Sequence, residues 1–384
     1  MGSTRTYIRE EDLGAQALLD ELSRAYERGW QPADVLHVTA RSGDLSDVPL
    51  GAAAVLFDAH RSRAEHRAPD GWLRQIRSVA DRHPPLAALA TRIPPGDRGP
   101  LFGAALQHAL PEVTRFQVTG LAFTWKYLPR FTVLAPPPSR WPSLRTADDT
   151  GGAPDPRILD RIRGLLSKAE STDFPEEAET LSAKAQELVT RYAVSAALLA
   201  GGDDASGIRG VRLHLDNPYA REKVLLLTAI GSANRARTVW FAKLGIATVV
   251  GGDVELRQIE VLFESLLVQA TRAMTAAGTG GRAGGGATAF RRAFLAGYAD
   301  RIGERLREAD ARATVDAAAD AHMPVTTLAP ILARRSEAVD DEFRRLFPAT
   351  RSTRSRTVDA EGWHAGRDAA ENACLTSPSM PRPR

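Results

Sequence analysis

Cysteine, lysine and long apolar runs are what this 384-residue chain has least of. A single cysteine, Cys374, excludes an intramolecular disulfide and any cysteine-based zinc cluster. The longest apolar runs, Leu50 to Phe57 and Val224 to Ile230, fall far short of the roughly 20 residues that a membrane span requires. Charges come early, at Arg5, Arg9, Glu10 and Glu11, so no signal-peptide core follows the start. These absences predict a cytoplasmic protein without a membrane partner. Only five of the 50 basic residues are lysine (Lys126, Lys168, Lys184, Lys223 and Lys243), so 45 are arginine. That bias looks like the codon usage of a high-GC genome. With a formal net charge of only +3, it does not by itself imply nucleic acid.

The common catalytic signatures are missing too. There is no HExxH helix, no pair of histidines four apart, no Gly-x-Ser-x-Gly elbow and no Gly-Lys-Ser phosphate loop. Asp58, His60 and His66 lie close together, but a six-residue spacing turns the two imidazoles about 120° apart on one helix. His364 is near Cys374 in sequence only. Gly278-x-Gly280-x-x-Ala283 fits the loosest dinucleotide fingerprint, yet a helical pattern precedes it where the motif needs a strand. Val250-Gly251-Gly252-Asp253 has the strand-to-helix order, but an aspartate capping the helix repels an anion from that end. No cofactor and no metal site is expected.

What the chain does have is helical periodicity, clearest from Arg157 to Leu199. Ile158, Ile162, Leu165, Leu166 and Ala169 make one apolar stripe, and Asp155-Pro156 supplies a cap and a first-turn proline. Asp173-Phe174-Pro175-Glu176 opens a second helix with a cap and a glutamate three residues on, and Ala178, Leu181, Ala185, Leu188, Val189 and Tyr192 continue the stripe. The short turn between them makes the helices antiparallel. The phrases at Ile158 to Glu170, Phe174 to Glu179 and Ala185 to Tyr192 resemble a bacterial and phage family, domain of unknown function 2786. Asn217-Pro218-Tyr219 to Met274 and Phe290 to Phe294 look like the companion region of its actinobacterial long forms. The family has no assigned activity, so the resemblance implies kinship and a helical hairpin but no reaction.

Elsewhere the pattern divides the chain. Residues 1–135 read as an N-terminal helical domain. Its helices are signalled by Leu13, Ala17, Leu18, Leu22 and Ala25, by a restart after Gly29-Trp30-Gln31-Pro32, by Leu50 to His66, and by Gly71 to His83. Between Val118 and Val133, Leu121, Phe123, Trp125 and Tyr127 alternate as in a strand. Residues 136–156 are rich in Pro, Gly and Asp and read as a linker, and 157–200 is the hairpin. From 208 to 277 the order is a strand at Ile208 to Leu215, a helix at Tyr219 to Ala233, strands at Arg237 to Phe241 and Ile246 to Val250, and a long helix capped by Asp253. Residues 278–287 read as a glycine-rich spacer, 288–375 as C-terminal helices and 376–384 as a disordered tail. The predicted class is α+β, predominantly α.

For function these patterns favour a non-enzymatic binding or interaction protein, with a nucleic acid or a protein as its partner. The candidate phosphate-contacting residues are Arg344, Arg345, Arg351, Arg354 and Arg356, a stretch with no acid between Phe343 and Val358. Asn234, Arg235, Arg237 and Trp240 sit where a helix meets a strand and form a candidate cleft. A hydrolase or nuclease-like enzyme using Glu255, Glu260 or Glu264 is the alternative, and a structural scaffold is a third reading.

Overall fold

In the computed structural model, residues 10–42, 47–94, 100–143, 207–278, 284–320, 322–350, 359–371 and 373 are described. The hairpin at 157–199 therefore lies outside the described residues, as do the spacer residues 279–283, the segment 351–358 and the tail. The chain divides into two units, residues 1–151 and 152–384. Among the described residues there are thirteen α-helices and one three-stranded antiparallel sheet, so the class is α+β with helix dominant.

The first unit is helical: α1 (Glu10–Glu27), α2 (Pro32–Arg41), α3 (Asp47–Arg61), α4 (Ala64–Arg67), α5 (Asp70–Arg82), α6 (Pro84–Arg92), α7 (Pro100–Ala109) and α8 (Arg115–Lys126). The apolar run at Leu50 to Phe57 explains the layout. Every residue in it is buried, because α3 touches all seven other helices and has no solvent face to keep polar.

Residues 115–126 are helical, not the strand that the alternation suggests. Thr114 and Gln117 form a reciprocal cap: the Gln117 amide donates to the Thr114 hydroxyl (3.3 Å) and the Thr114 amide donates to the Gln117 side-chain oxygen (2.9 Å). Val118, Leu121, Ala122 and Trp125, at offsets 0, 3, 4 and 7, then face the core, while Phe116, Phe123 and Tyr127 stay exposed. The aromatic alternation mixed residues from both faces of one helix. The start of the stretch read as a linker is also packed. Trp141 meets Trp72 in a T-shaped pair with ring centroids 5.4 Å apart, and the Ser139 hydroxyl donates to Glu27 (2.8 Å).

The second unit holds β1 (Ile208–His214), α9 (Ala220–Ala233), β2 (Arg237–Phe241), β3 (Ile246–Gly252), α10 (Asp253–Ala277), α11 (Gly284–Asp320), α12 (Val325–Leu346) and α13 (Ala360–Glu371). The strand order is β1-β3-β2, with Val211 opposite Val249 and Val239 opposite Thr248. As the central strand, β3 is buried along its whole length. Ala247 and Val249 point into the core shared with α9 and α10, and on the sheet's other side lies α12, where Phe347 just past its end packs on Phe241.

Two local readings change. Gly252 is the cap of α10, and Asp253, the first helical residue, pairs with Arg209 of β1. The glycine-rich spacer shortens, because α11 already begins at Gly284: Phe290, Phe294, Tyr298, Ile302 and Leu306 are buried along one face, and that tertiary packing overrides the weak helix propensity of glycine. Helices α11 and α13 approach until backbones nearly touch. A Cβ on Gly362 would lie 2.6 Å from the Phe290 carbonyl oxygen, and Gly297 and Gly366 are closed off in the same way by the carbonyls of Trp363 and Phe294.

Candidate functional site: a three-helix cleft

Among the described residues of the second unit, a concave surface lies between α9, α11 and α13, with a volume of about 770 Å³. Its position results from small residues. Gly303 of α11 meets Ala229 of α9, where an added Cβ would sit 3.2 Å from the alanine methyl, and the glycines at 297, 362 and 366 lock α13 onto α11. Leu225, Ala229, Ala296, Ala299 and Ala360 supply an apolar floor, and Thr228, Ser232, Asp300, Arg307, Trp363 and His364 complete the lining.

The charges beside the cleft are largely matched. Asp300 pairs with Arg367, whose guanidinium also lies over the Trp363 ring, 5.0 Å from its centroid, and reaches Glu304 at 2.8 Å. Arg301 gathers Glu304 (2.9 Å), Glu308 (3.3 Å) and Glu371. Hydrogen bonds from Arg367 and Arg301 hold the Glu304 and Glu371 carboxyls below the usual carboxylate range. At the start of α13 the Asp359 carboxylate accepts from the Gly362 amide at 2.8 Å. Arg307 differs: its Nε donates to the Gly303 carbonyl at 2.9 Å, and among the described residues it pairs with no carboxylate. The Thr228 hydroxyl donates to the Val224 carbonyl (2.7 Å), and the His364 ring stands edge-on to Trp363 at 5.0 Å.

The residues singled out from the sequence lie elsewhere. Arg344 pairs with Asp341, and Arg345 makes a two-pronged contact with Glu342 (2.6 and 2.7 Å), so neither is an unmatched cation. Their partners lie one helical turn back, just before the stretch in which no acid occurs. Arg351, Arg354 and Arg356 fall outside the described residues.

Asn234, Arg235, Arg237 and Trp240 do not converge. The Asn234 amide donates to the Ile230 carbonyl (2.8 Å) at the buried end of α9, Arg235 pairs with Asp310 of α11 (2.7 Å), Arg237 pairs with Asp340 of α12 (3.0 Å), and Trp240 packs against the core. Asn234 closes the helix, Arg235 sits in the turn at positive φ, and Arg237 and Trp240, an odd number of strand positions apart, point to opposite faces of β2, so a different element engages each and none lines the cleft. The three carboxylates also diverge. Glu255 is buried and 3.5 Å from Arg335, Glu260 is roughly 140° further around α10, and Glu264 is exposed. Asp58 pairs with Arg61 (2.7 Å), and among the described residues no group of three His, Cys, Asp or Glu side chains is placed to hold a metal ion. No described helix is long and apolar enough to cross a membrane.

The sequence carried little sign of the cleft. Its floor is alanine and glycine in a chain where both abound, and Arg307 is one arginine among 45. A family model described as a protein of unknown function (DUF2786) matches residues 157–196. No curated protein and no solved structure matches the chain.

Proposed function

For a chain that carries a DUF2786 domain at residues 157–196, we propose a non-enzymatic binding role, with the α9–α11–α13 cleft as its recognition site. The observation behind this reading is the cleft itself. At about 770 Å³ it has the size, apolar floor and sparse polar rim of a small-molecule or side-chain pocket. Two of its polar groups are already engaged: Asp300 is tied to Arg367, and the Thr228 hydroxyl is tied to the backbone. The neutral dye N-phenyl-1-naphthylamine tests the idea. Saturable fluorescence enhancement at one dye per chain, lost when Ala296→Trp fills the floor of a still-folded protein, is the expected result. No saturable uptake by the unmutated protein overturns the reading. Turnover of nitrophenyl acetate or bis(nitrophenyl) phosphate that disappears in the same variant overturns its non-enzymatic part.

Association with nucleic acid is the finer part of the proposal and rests on Arg351, Arg354 and Arg356. Arg344 and Arg345 add little to it, since each brings its own carboxylate.

A further inference from the structure

We propose that the cleft takes an organic anion with an apolar body, a carboxylate, sulfonate or monophosphate on a ring-sized hydrocarbon, and that Arg307 is the anchor for its charge. This assignment rests on the cleft being a binding site and adds the ligand's chemistry.

Most charged groups at the cleft are already satisfied. The one carboxylate in the lining, Asp300, is neutralised by Arg367. The acids within one turn of Arg307 on α11 are held by other arginines: Glu304 by Arg301 and Arg367, Glu308 by Arg301, and Asp310 by Arg235. Arg307, an exposed side chain, is left with one backbone bond, Nε–H to the Gly303 carbonyl, so its two terminal nitrogens remain for a forked contact. Beside it in the lining are the Trp363 indole N–H, the Ser232 hydroxyl and the His364 ring, which carries an N–H in every protonation state. Donors therefore outnumber open acceptors, and a ligand that presents oxygen acceptors and a negative charge satisfies them. A cation would meet Arg307 with repulsion.

The floor sets the rest of the ligand. Leu225, Ala229, Ala296 and Ala299 offer no hydrogen bond, so the buried part of the ligand is hydrocarbon or aromatic. A polyanionic strand fits poorly. Nucleic-acid affinity grows with the number of phosphates neutralised, and the lining supplies one unmatched guanidinium with Asp300 and Asp359 close by.

Two dyes sharing one aromatic body separate charge from shape: 1-anilinonaphthalene-8-sulfonate and its neutral relative N-phenyl-1-naphthylamine. The unmutated protein is expected to bind the sulfonate more tightly. Arg307→Gln should weaken the sulfonate by about tenfold or more, in line with loss of a charge-assisted hydrogen-bonded pair, and change the neutral dye less than about twofold. Arg307→Lys should recover part of the sulfonate affinity. Circular dichroism matching the unmutated protein shows that each variant is folded. Equal affinity for the two dyes, or an Arg307→Gln variant that binds the sulfonate as the unmutated protein does, overturns the anion proposal while the cleft remains a binding site. Failure of both dyes to bind, or binding of both that survives Ala296→Trp, overturns the reading of the cleft itself.

Discussion

Arg335 is expected to be the most damaging single position to neutralise in the second unit. It reaches from α12 to Glu255 in the first turn of α10 across 3.5 Å, and the two side chains are only 9% and 5% exposed. At that burial solvent cannot replace a lost partner, and the second Glu255 carboxylate oxygen already lacks a hydrogen bond. Gly252 fits beneath the pair only because it has no side chain: a Cβ there would press on both Arg335 and Glu255. Arg335→Met keeps the apolar stem, removes the charge and leaves a buried carboxylate alone, which costs about 3–5 kcal/mol. In a unit of this size each kcal/mol moves the melting temperature by roughly 2–4 °C, so its calorimetric transition should fall by about 6–20 °C. Glu255→Leu combined with Arg335→Met removes both charges and should recover most of that loss, since a buried pair replaced by apolar groups is often close to neutral. A single Arg335→Met variant melting within about 2 °C of the unmutated protein would refute this account. So would a double variant as unstable as the sum of its parts, because the loss would then come from packing and not from an unpaired charge.

In the first unit, Trp125→Ala should cost about 3–5 kcal/mol in urea denaturation, because the ring is fully buried and its indole N–H donates to Thr39 at 3.0 Å, whereas Phe123→Ala on the exposed face should stay within about 0.5 kcal/mol. Similar losses for both would point to a strand or a two-sided contact at 115–126. Gly366→Ala forces α13 off the Phe294 carbonyl and should lower stability by about 1–3 kcal/mol while weakening dye uptake in the cleft, so a fully stable variant would contradict the close approach. Burial pushes the Asp58 carboxyl above its ordinary value of 3.8, with Arg61 opposing the rise. The folded state thus holds that proton more tightly than the unfolded state, and the associated stability is present below pH 3.8 and lost as the pH rises through the folded value. Asp58→Asn should therefore gain relative stability from about pH 4 upward, and a difference that shrinks with rising pH in a urea series would show the opposite sign. Replacing Arg351, Arg354 and Arg356 together with Gln should reduce retention on DNA at low salt and flatten its salt dependence, while Arg344→Gln with Arg345→Gln should leave it nearly unchanged; no retention of the unmutated chain would remove the nucleic-acid part of the proposal.

The contrast between what could and could not be read from the sequence is a contrast between local and tertiary causes. Strands 208–214, 237–241 and 246–252 were legible because alternation and β-branching act over neighbouring residues, and α10 was legible because its apolar stripe repeats through Leu256, Ile259, Leu266 and Ala270. Helix α8 misled because its exposed aromatics Phe123 and Tyr127 fell in step with the buried Leu121 and Trp125. Arg344 and Arg345 looked unmatched because the charge run was judged by the residues on its C-terminal side, whereas a helix pairs each of them with the residue three positions back. The cleft is the extreme case. Arg307 stands out only once Glu304, Glu308 and Asp310 are seen to be taken by Arg301, Arg367 and Arg235, and two of those three arginines come from α13 and from the end of α9. Which arginine of many is left over depends on how helices distant in sequence pack, so no spacing rule along α11 alone selects it.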